Sequence, residues 1–189
     1  MVVLNFTSWN VHGWKRISKI ACEFLKTYDI ICLQETWLHE HEENYFGDLM
    51  NNYNCVCKTS MQADVFHRGR PFGGLAFLYK KALAVHITHI GSEYKNLDVI
   101  CLKFGDRKVF VVNVNVPCCN NDNEDEINEL VANIFCTWEL GECDDIIVCG
   151  DFNMHVTSKK FKELFSFCND ANLTVYDYNK LEPDIHICE

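Results

Sequence analysis

One arrangement occurs twice along the chain: an apolar strand, an amphipathic helix, a short run of apolar residues, and a carboxylate just beyond it. The first copy runs through residues 2–9, 15–28 and 30–33 and ends at Glu35; the second runs through 108–114, 124–138 and 145–149 and ends at Asp151. The helices are read from rhythm. Ile17, Ile20, Ala21, Phe24, Leu25 and Tyr28 in one, and Ile127, Leu130, Val131, Ile134, Phe135 and Trp138 in the other, fall on one face of a helix. The runs DIICL (29–33) and DIIVC (145–149) are apolar beyond their first residue, as strands covered on both faces are. The two copies share layout and not sequence. A chain so built folds as layered α/β, and in such folds ligands gather beyond the C-terminal ends of strands. An Asn also follows each leading strand: Asn10 after the first, and Asn113 and Asn115 at the end of the second.

The remaining segments fill in the layers. Residues 38–72 are polar and irregular, with a basic patch at His67, Arg68 and Arg70. Gly73-Gly74 opens a strand, LAFLY, and AVHITHI (84–90) alternates like a half-buried strand. LDVICLKF and KVFVVNV are joined by Gly105-Asp106-Arg107, and Gly at the first turn position suits a type II′ hairpin. The acidic stretch at 120–126 complements the dipole at the start of the second long helix. A last helix carries Phe161, Leu164, Phe165 and Cys168, LTVY (173–176) reads as a final strand, and the tail has no clear period.

Composition narrows the classes of function. The 189 residues fit one domain, and a chain of this size hides roughly 70% of its unfolded surface. Hydrophobic residues at 48% and charged residues at 23% exclude a disordered chain. No apolar run is long enough to span a membrane, and MVVLNFTSWN has no signal-peptide pattern. The net charge of −10 argues against a module that holds nucleic acid by bulk electrostatics, though not against an enzyme that meets phosphates through a metal ion. The 12 cysteines include no CxxC pair and have no HxxxH partner, so zinc is disfavoured. Free thiols without an export signal point to the nucleus or cytoplasm, and the sequons at Asn5 and Asn172 are then accidental.

The chemistry-bearing candidates are Asn10, Glu35, Asp151 and Asn153, all at strand-to-loop junctions. Two carboxylates and two carboxamides are hard oxygen ligands, suited to Mg²⁺ or Mn²⁺. Either acid alone would serve equally as a turn or helix cap. Their recurrence in the same structural role favours a site.

Around these residues the segments WNVHGW (9–14), LQETW (33–37), RPFGGLA (70–76) and CGDFN (149–153) resemble the endonuclease/exonuclease/phosphatase superfamily. Within it the chain looks most like the apurinic-endonuclease-like domain of non-LTR (LINE-type) retrotransposons. The resemblance covers residues 1–189 as one domain and implies a DNase I-like fold: a four-layer α/β sandwich of two mixed sheets flanked by helices. It implies Mg²⁺-dependent (or Mn²⁺-dependent) nicking of DNA by phosphodiester hydrolysis. Glu35 would be the main metal ligand and Asn10 would help organise metal and phosphate. Asp151 would position the attacking water or assist the leaving oxygen, and Asn153 would hold Asp151 and the phosphate. Arg68, Arg70 and His155 would border the substrate. A reverse-transcriptase domain downstream in a longer polyprotein belongs to the same picture, and no membrane partner does.

Two departures stand against the family pattern. Residues 113–117 read NVNVP, placing Asn115 where the family usually has Tyr; Asn115 is expected to border the substrate, its amide able to donate a hydrogen bond to a phosphate, though with shorter reach. The closing Ser-x-Ile-Asp and Ser-Asp-His strands are not in the sequence, so the C-terminal strands are expected to be missing and nicking by this chain alone to be weak or absent. His155, two residues past Asn153, is a candidate replacement base, ahead of His12 and His186. Trp9 and Trp37 are expected to be core residues beside the motifs. Two other readings compete: a non-catalytic remnant of a retroelement endonuclease, and a superfamily phosphatase or sphingomyelinase acting on small phosphoesters.

Overall fold

The computed structural model describes residues 3–42, 44–61, 72–117 and 124–176. The chain divides into two compact units. The first comprises residues 1–117 and 133–153, and the second residues 118–132 and 154–189.

The first unit holds two four-stranded sheets. In chain order its strands are β1 (Phe6–Asn10), β2 (Ile30–Gln34), β3 (Tyr53–Lys58), β4 (Leu75–Lys80), β5 (Ile87–His89), β6 (Leu97–Phe104), β7 (Arg107–Asn115) and β8 (Asp145–Asp151). The sheet orders are β1-β2-β4-β3 and β5-β6-β7-β8. Each sheet is mixed, with one parallel pair: β1 with β2, and β7 with β8. The helices are α1 (Lys19–Leu25), α2 (Tyr45–Leu49), α3 (Glu124–Leu140) and α4 (Lys159–Asp170). This is the layered α/β architecture expected from the sequence.

Burial explains the apolar runs. All five residues of β2 are buried. Ile30 and Cys32 turn toward the second sheet, meeting Ile100, Leu102 and Val111 together with Phe77 of β4. Ile31 and Leu33 turn the other way, onto Cys22 and Leu25 of α1, Phe46 of α2, and Trp14. Period-2 alternation thus serves two cores at once, and each fully buried Ile or Leu stabilises the fold by about 1.5–3 kcal/mol. Ser18 caps α1 by accepting a hydrogen bond from the Ala21 N–H at 3.2 Å, and Ser158 caps α4 in the same way from Phe161 at 3.1 Å.

Several expectations need correction. The helix expected at 15–28 is shorter: a 3₁₀ turn spans Trp14–Arg16, and regular helix runs only from Lys19 to Leu25. The first part of the strand expected at 84–90 belongs to a 3₁₀ turn over Lys81–His86, and Ile87–His89 alone are paired. The irregular stretch after residue 38 contains α2 and β3. LTVY (173–176) forms no strand. The hairpin stands: Phe104 faces Arg107, and Gly105 has φ +63°, while Asp106 is not left-handed, as type II′ requires.

Candidate active site

Both parallel pairs end at the same place in the first unit. Asn10 lies opposite Gln34 on the first sheet, and Asn115 opposite Asp151 on the second. Two hydrogen bonds then cross between the sheets. The Asn10 Nδ2 donates to Asp151 Oδ2 at 2.6 Å, and the Asn115 Nδ2 donates to Glu35 Oε1 at 2.6 Å. One step deeper, the Gln34 Nε2 donates to Asn113 Oδ1 at 2.6 Å. The Asn113 Nδ2 in turn donates to the carbonyls of Leu33 and Ala76, at 3.0 and 3.2 Å. The polar ends of four strands are thus tied together directly above the apolar interior.

Glu35 is held from three sides. Besides Asn115, the Trp37 indole N–H donates to Oε2 at 2.6 Å, and the Gly73 backbone N–H donates to the same oxygen at 2.8 Å. Burial pushes its carboxyl upward, but the bonds from Asn115, Trp37 and Gly73, with the nearby His12, outweigh that, so it sits below the ordinary Glu value. The carboxylate is therefore ionised at neutral pH.

Asp151 is fixed at both oxygens: Oδ2 by Asn10, and Oδ1 by the Asn153 backbone N–H at 2.9 Å. The Asn153 side chain points elsewhere, donating to the Val116 carbonyl at 2.7 Å. It supports the loop that carries Asp151. Gly150 is required for close approach. Its φ is +141°, and a Cβ there would meet the Val114 carbonyl.

Backbone strain gathers at the same place. Six described non-glycine residues have positive φ, and four of them are His12, Glu35, Trp37 and Asn153. Such conformations persist where surrounding contacts over-determine them, and they cluster at functional sites.

Among the described residues no group of three or more His, Cys, Asp or Glu is placed to hold a metal. The donors here are of another kind. Asn115 Oδ1 is buried and has no hydrogen-bond partner, beside the Glu35 carboxylate that Asn115 Nδ2 engages. An orphaned buried carbonyl oxygen costs about 1–3 kcal/mol, and a cation would satisfy it. An all-oxygen set with one or two carboxylates fits Mg²⁺, which keeps much of its own water. Glu35 and Asn115 are the residues that would hold such an ion.

Of the other sequence candidates, Arg68 and Arg70, with His67, lie outside the described residues. His155 belongs to the second unit, is exposed, and shares a hydrogen bond of 2.7 Å with Thr157 Oγ1. His12 is exposed, and its backbone N–H donates to Asn10 Oδ1 at 3.1 Å. Trp37 is buried as expected, but Trp9 is 39% exposed on β1, so it is not the core residue the motif suggested. Trp37, Gly73, Gln34 and Asn113 are the supporting residues that motif reading did not assign to the site.

The site and frame define an α/β sandwich whose two sheets present paired carboxylates and carboxamides at matching strand ends. The chain belongs to the endonuclease/exonuclease/phosphatase family, whose model matches residues 7–166. Solved structures agree in fold. An AP endonuclease from Leishmania major is 17% identical, with a TM-score of 0.61, covering 89% of this chain and 67% of its own. An AP endonuclease from Archaeoglobus fulgidus is 17% identical, with a TM-score of 0.59, covering 89% and 71%. D. rerio TDP2, complexed with a single-strand DNA product, is 17% identical, with a TM-score of 0.57, covering 86% and 64%. The chain thus spans about two thirds of these proteins' lengths. No curated protein matches the sequence significantly.

Proposed function

We propose that the chain is a divalent-metal-dependent phosphodiesterase acting on DNA, of the endonuclease kind. The observation that carries this is the pair of cross-sheet bonds, Asn10 to Asp151 and Asn115 to Glu35, which fixes two carboxylates at one strand-end site. Glu35 and Asn115 Oδ1 would hold Mg²⁺ or Mn²⁺, which when bound neutralises charge on a phosphate oxygen. Asp151, with both oxygens fixed, accepts a hydrogen bond from the attacking water and aligns it for in-line displacement. Asn10 sets the Asp151 carboxylate, and Asn153 sets the turn that presents it. No proton leaves Glu35, whose donors keep it anionic.

The finer assignment is to an endonuclease domain of the non-LTR retrotransposon type. It rests on QETW at 34–37 and Gly73-Gly74, segments that share a task here: Trp37 and Gly73 both hold Glu35 Oε2. DNA is the substrate favoured by this assignment. A reverse-transcriptase domain in the same polyprotein belongs to it.

The test is nicking of supercoiled plasmid by this chain in Mg²⁺ and in Mn²⁺, at high protein concentration. Slow, metal-dependent nicking is expected, falling by at least about 10²-fold in Glu35→Gln and in Asp151→Asn. Nicking that survives chelation or both substitutions, or a chain that in neither metal nicks DNA nor binds the ion, overturns the proposal.

A further inference from the structure

Trp37 follows the candidate metal-holding Glu35 by two residues, yet an aromatic residue there has no chemistry of its own to offer a phosphodiester. Its surroundings are unusually determined. The indole N–H lies 2.6 Å from Glu35 Oε2. The residue's backbone has φ +54°, as does Glu35 itself, so both ends of the short Glu35–Trp37 turn sit in a conformation side chains rarely adopt. The Trp37 N–H donates to the Gly73 carbonyl at 3.0 Å, and the Gly73 N–H returns to Glu35 Oε2 at 2.8 Å. A closed circuit therefore joins Glu35, Trp37 and Gly73.

The ring is fixed as firmly as the backbone. Gly13 leaves room for it: a Cβ at Gly13 would lie 2.5 Å from Trp37 Cε3. The Arg16 guanidinium lies 5.0 Å from the ring centroid, and the His12 ring meets it edge-on at 6.4 Å. Trp37 is buried, so its N–H requires an acceptor, and Glu35 supplies it. A core tryptophan needs only packing. This one is packed so that its single polar atom meets one oxygen of the candidate ligand.

We propose that Trp37 is a positioning residue for metal binding: its indole N–H fixes Glu35 Oε2 and leaves the carboxylate oriented toward the ion that Glu35 and Asn115 would hold. The proposal rests on the metal-site reading above. Partners that orient a metal-ligating carboxylate typically contribute 10–100-fold in metal affinity.

The experiment is direct Mn²⁺ binding, by electron paramagnetic resonance of the free ion or by calorimetry, on the full chain. Three proteins are compared: wild type, Trp37→Phe, and a chain with 3-benzothienylalanine at position 37, which replaces the N–H by sulfur and keeps the ring shape. The last guards against misfolding in the phenylalanine variant. Circular dichroism and melting are recorded for each without metal. The expected result is a Kd for Mn²⁺ about 10–100-fold weaker in the isosteric variant than in wild type. A purely structural role would lower the melting temperature and leave that Kd in place. An isosteric variant that binds Mn²⁺ within twofold of wild type overturns the proposal while the metal site stands. A wild-type chain without saturable Mn²⁺ binding removes the metal-site reading and this one together.

Discussion

Gly13 shows how a single residue can be required for what it lacks. Its φ is +100°, and the space where a side chain would begin is filled by the Trp37 ring. Its N–H donates to the Glu35 carbonyl at 2.8 Å, so it also holds the backbone of the candidate ligand. Gly13→Ala adds left-handed strain and a clash in a packed place, and should lower stability by about 2–5 kcal/mol in urea unfolding. A cost under about 0.5 kcal/mol would mean that the turn relaxes freely. The motif WN-x-x-G displayed this glycine in the sequence, though not its reason. Asn10, Glu35, Asp151 and Asn153 were legible as candidates because carboxylates and carboxamides recur at the ends of apolar runs in the same structural role, although each alone would serve as a cap. Trp37 was not, because an aromatic residue beside a motif is equally consistent with packing; only the placement of its N–H separates the two.

Elements were legible in proportion to how fully they are buried. β2, β6 and β7 carry apolar runs that suit a covered strand, whereas β8, at the edge of its sheet, is only partly buried with Ile147 exposed, so its apolar run overstates its cover. β3 was missed because YNCVCK mixes polar and apolar residues, as befits an edge strand bonded only to β4. Residues 84–90 alternate apolar and polar, yet local 3₁₀ geometry takes the first three of them. The least legible element feature is the tie between β2 and β7. Asn113 sits within an apolar strand, is fully buried, and spends both amide hydrogens and its oxygen on the facing sheet. Asn113→Leu preserves volume and strand propensity but strips two buried carbonyls and Gln34 of a partner. It should cost about 2–4 kcal/mol in chemical denaturation. A neutral or stabilising result would show that the apolar replacement compensates fully, and that the two sheets do not need this bond for their alignment.

At the scale of the whole molecule, charge sets the terms on which DNA could be met. The net charge is −10, so the long-range field repels a polyanion, and any affinity must come from a few local cations and a bound divalent ion. The segment after Asn10 supplies some of them: Lys15, Arg16 and Lys19, with Lys15 bound to Glu42 at 2.5 Å and Arg16 over Trp37. Arg68 and Arg70 bring the basic residues in or beside the motif segments to five. Each phosphate neutralised contributes about −0.9 to the slope of log K against log salt concentration. If all five contribute, the slope for a short duplex is no steeper than about −5. Fluorescence anisotropy in Ca²⁺ should give a slope at or below that limit, and Arg16→Ala should make it shallower by about 1. A slope near −8 would require about nine phosphate contacts, more than the five basic residues near the motif segments can make, and would count against DNA being met at the strand-end site. A shallow slope leaves specificity to the site itself, where Glu35, Asn115 and Asp151 are already fixed before any substrate arrives.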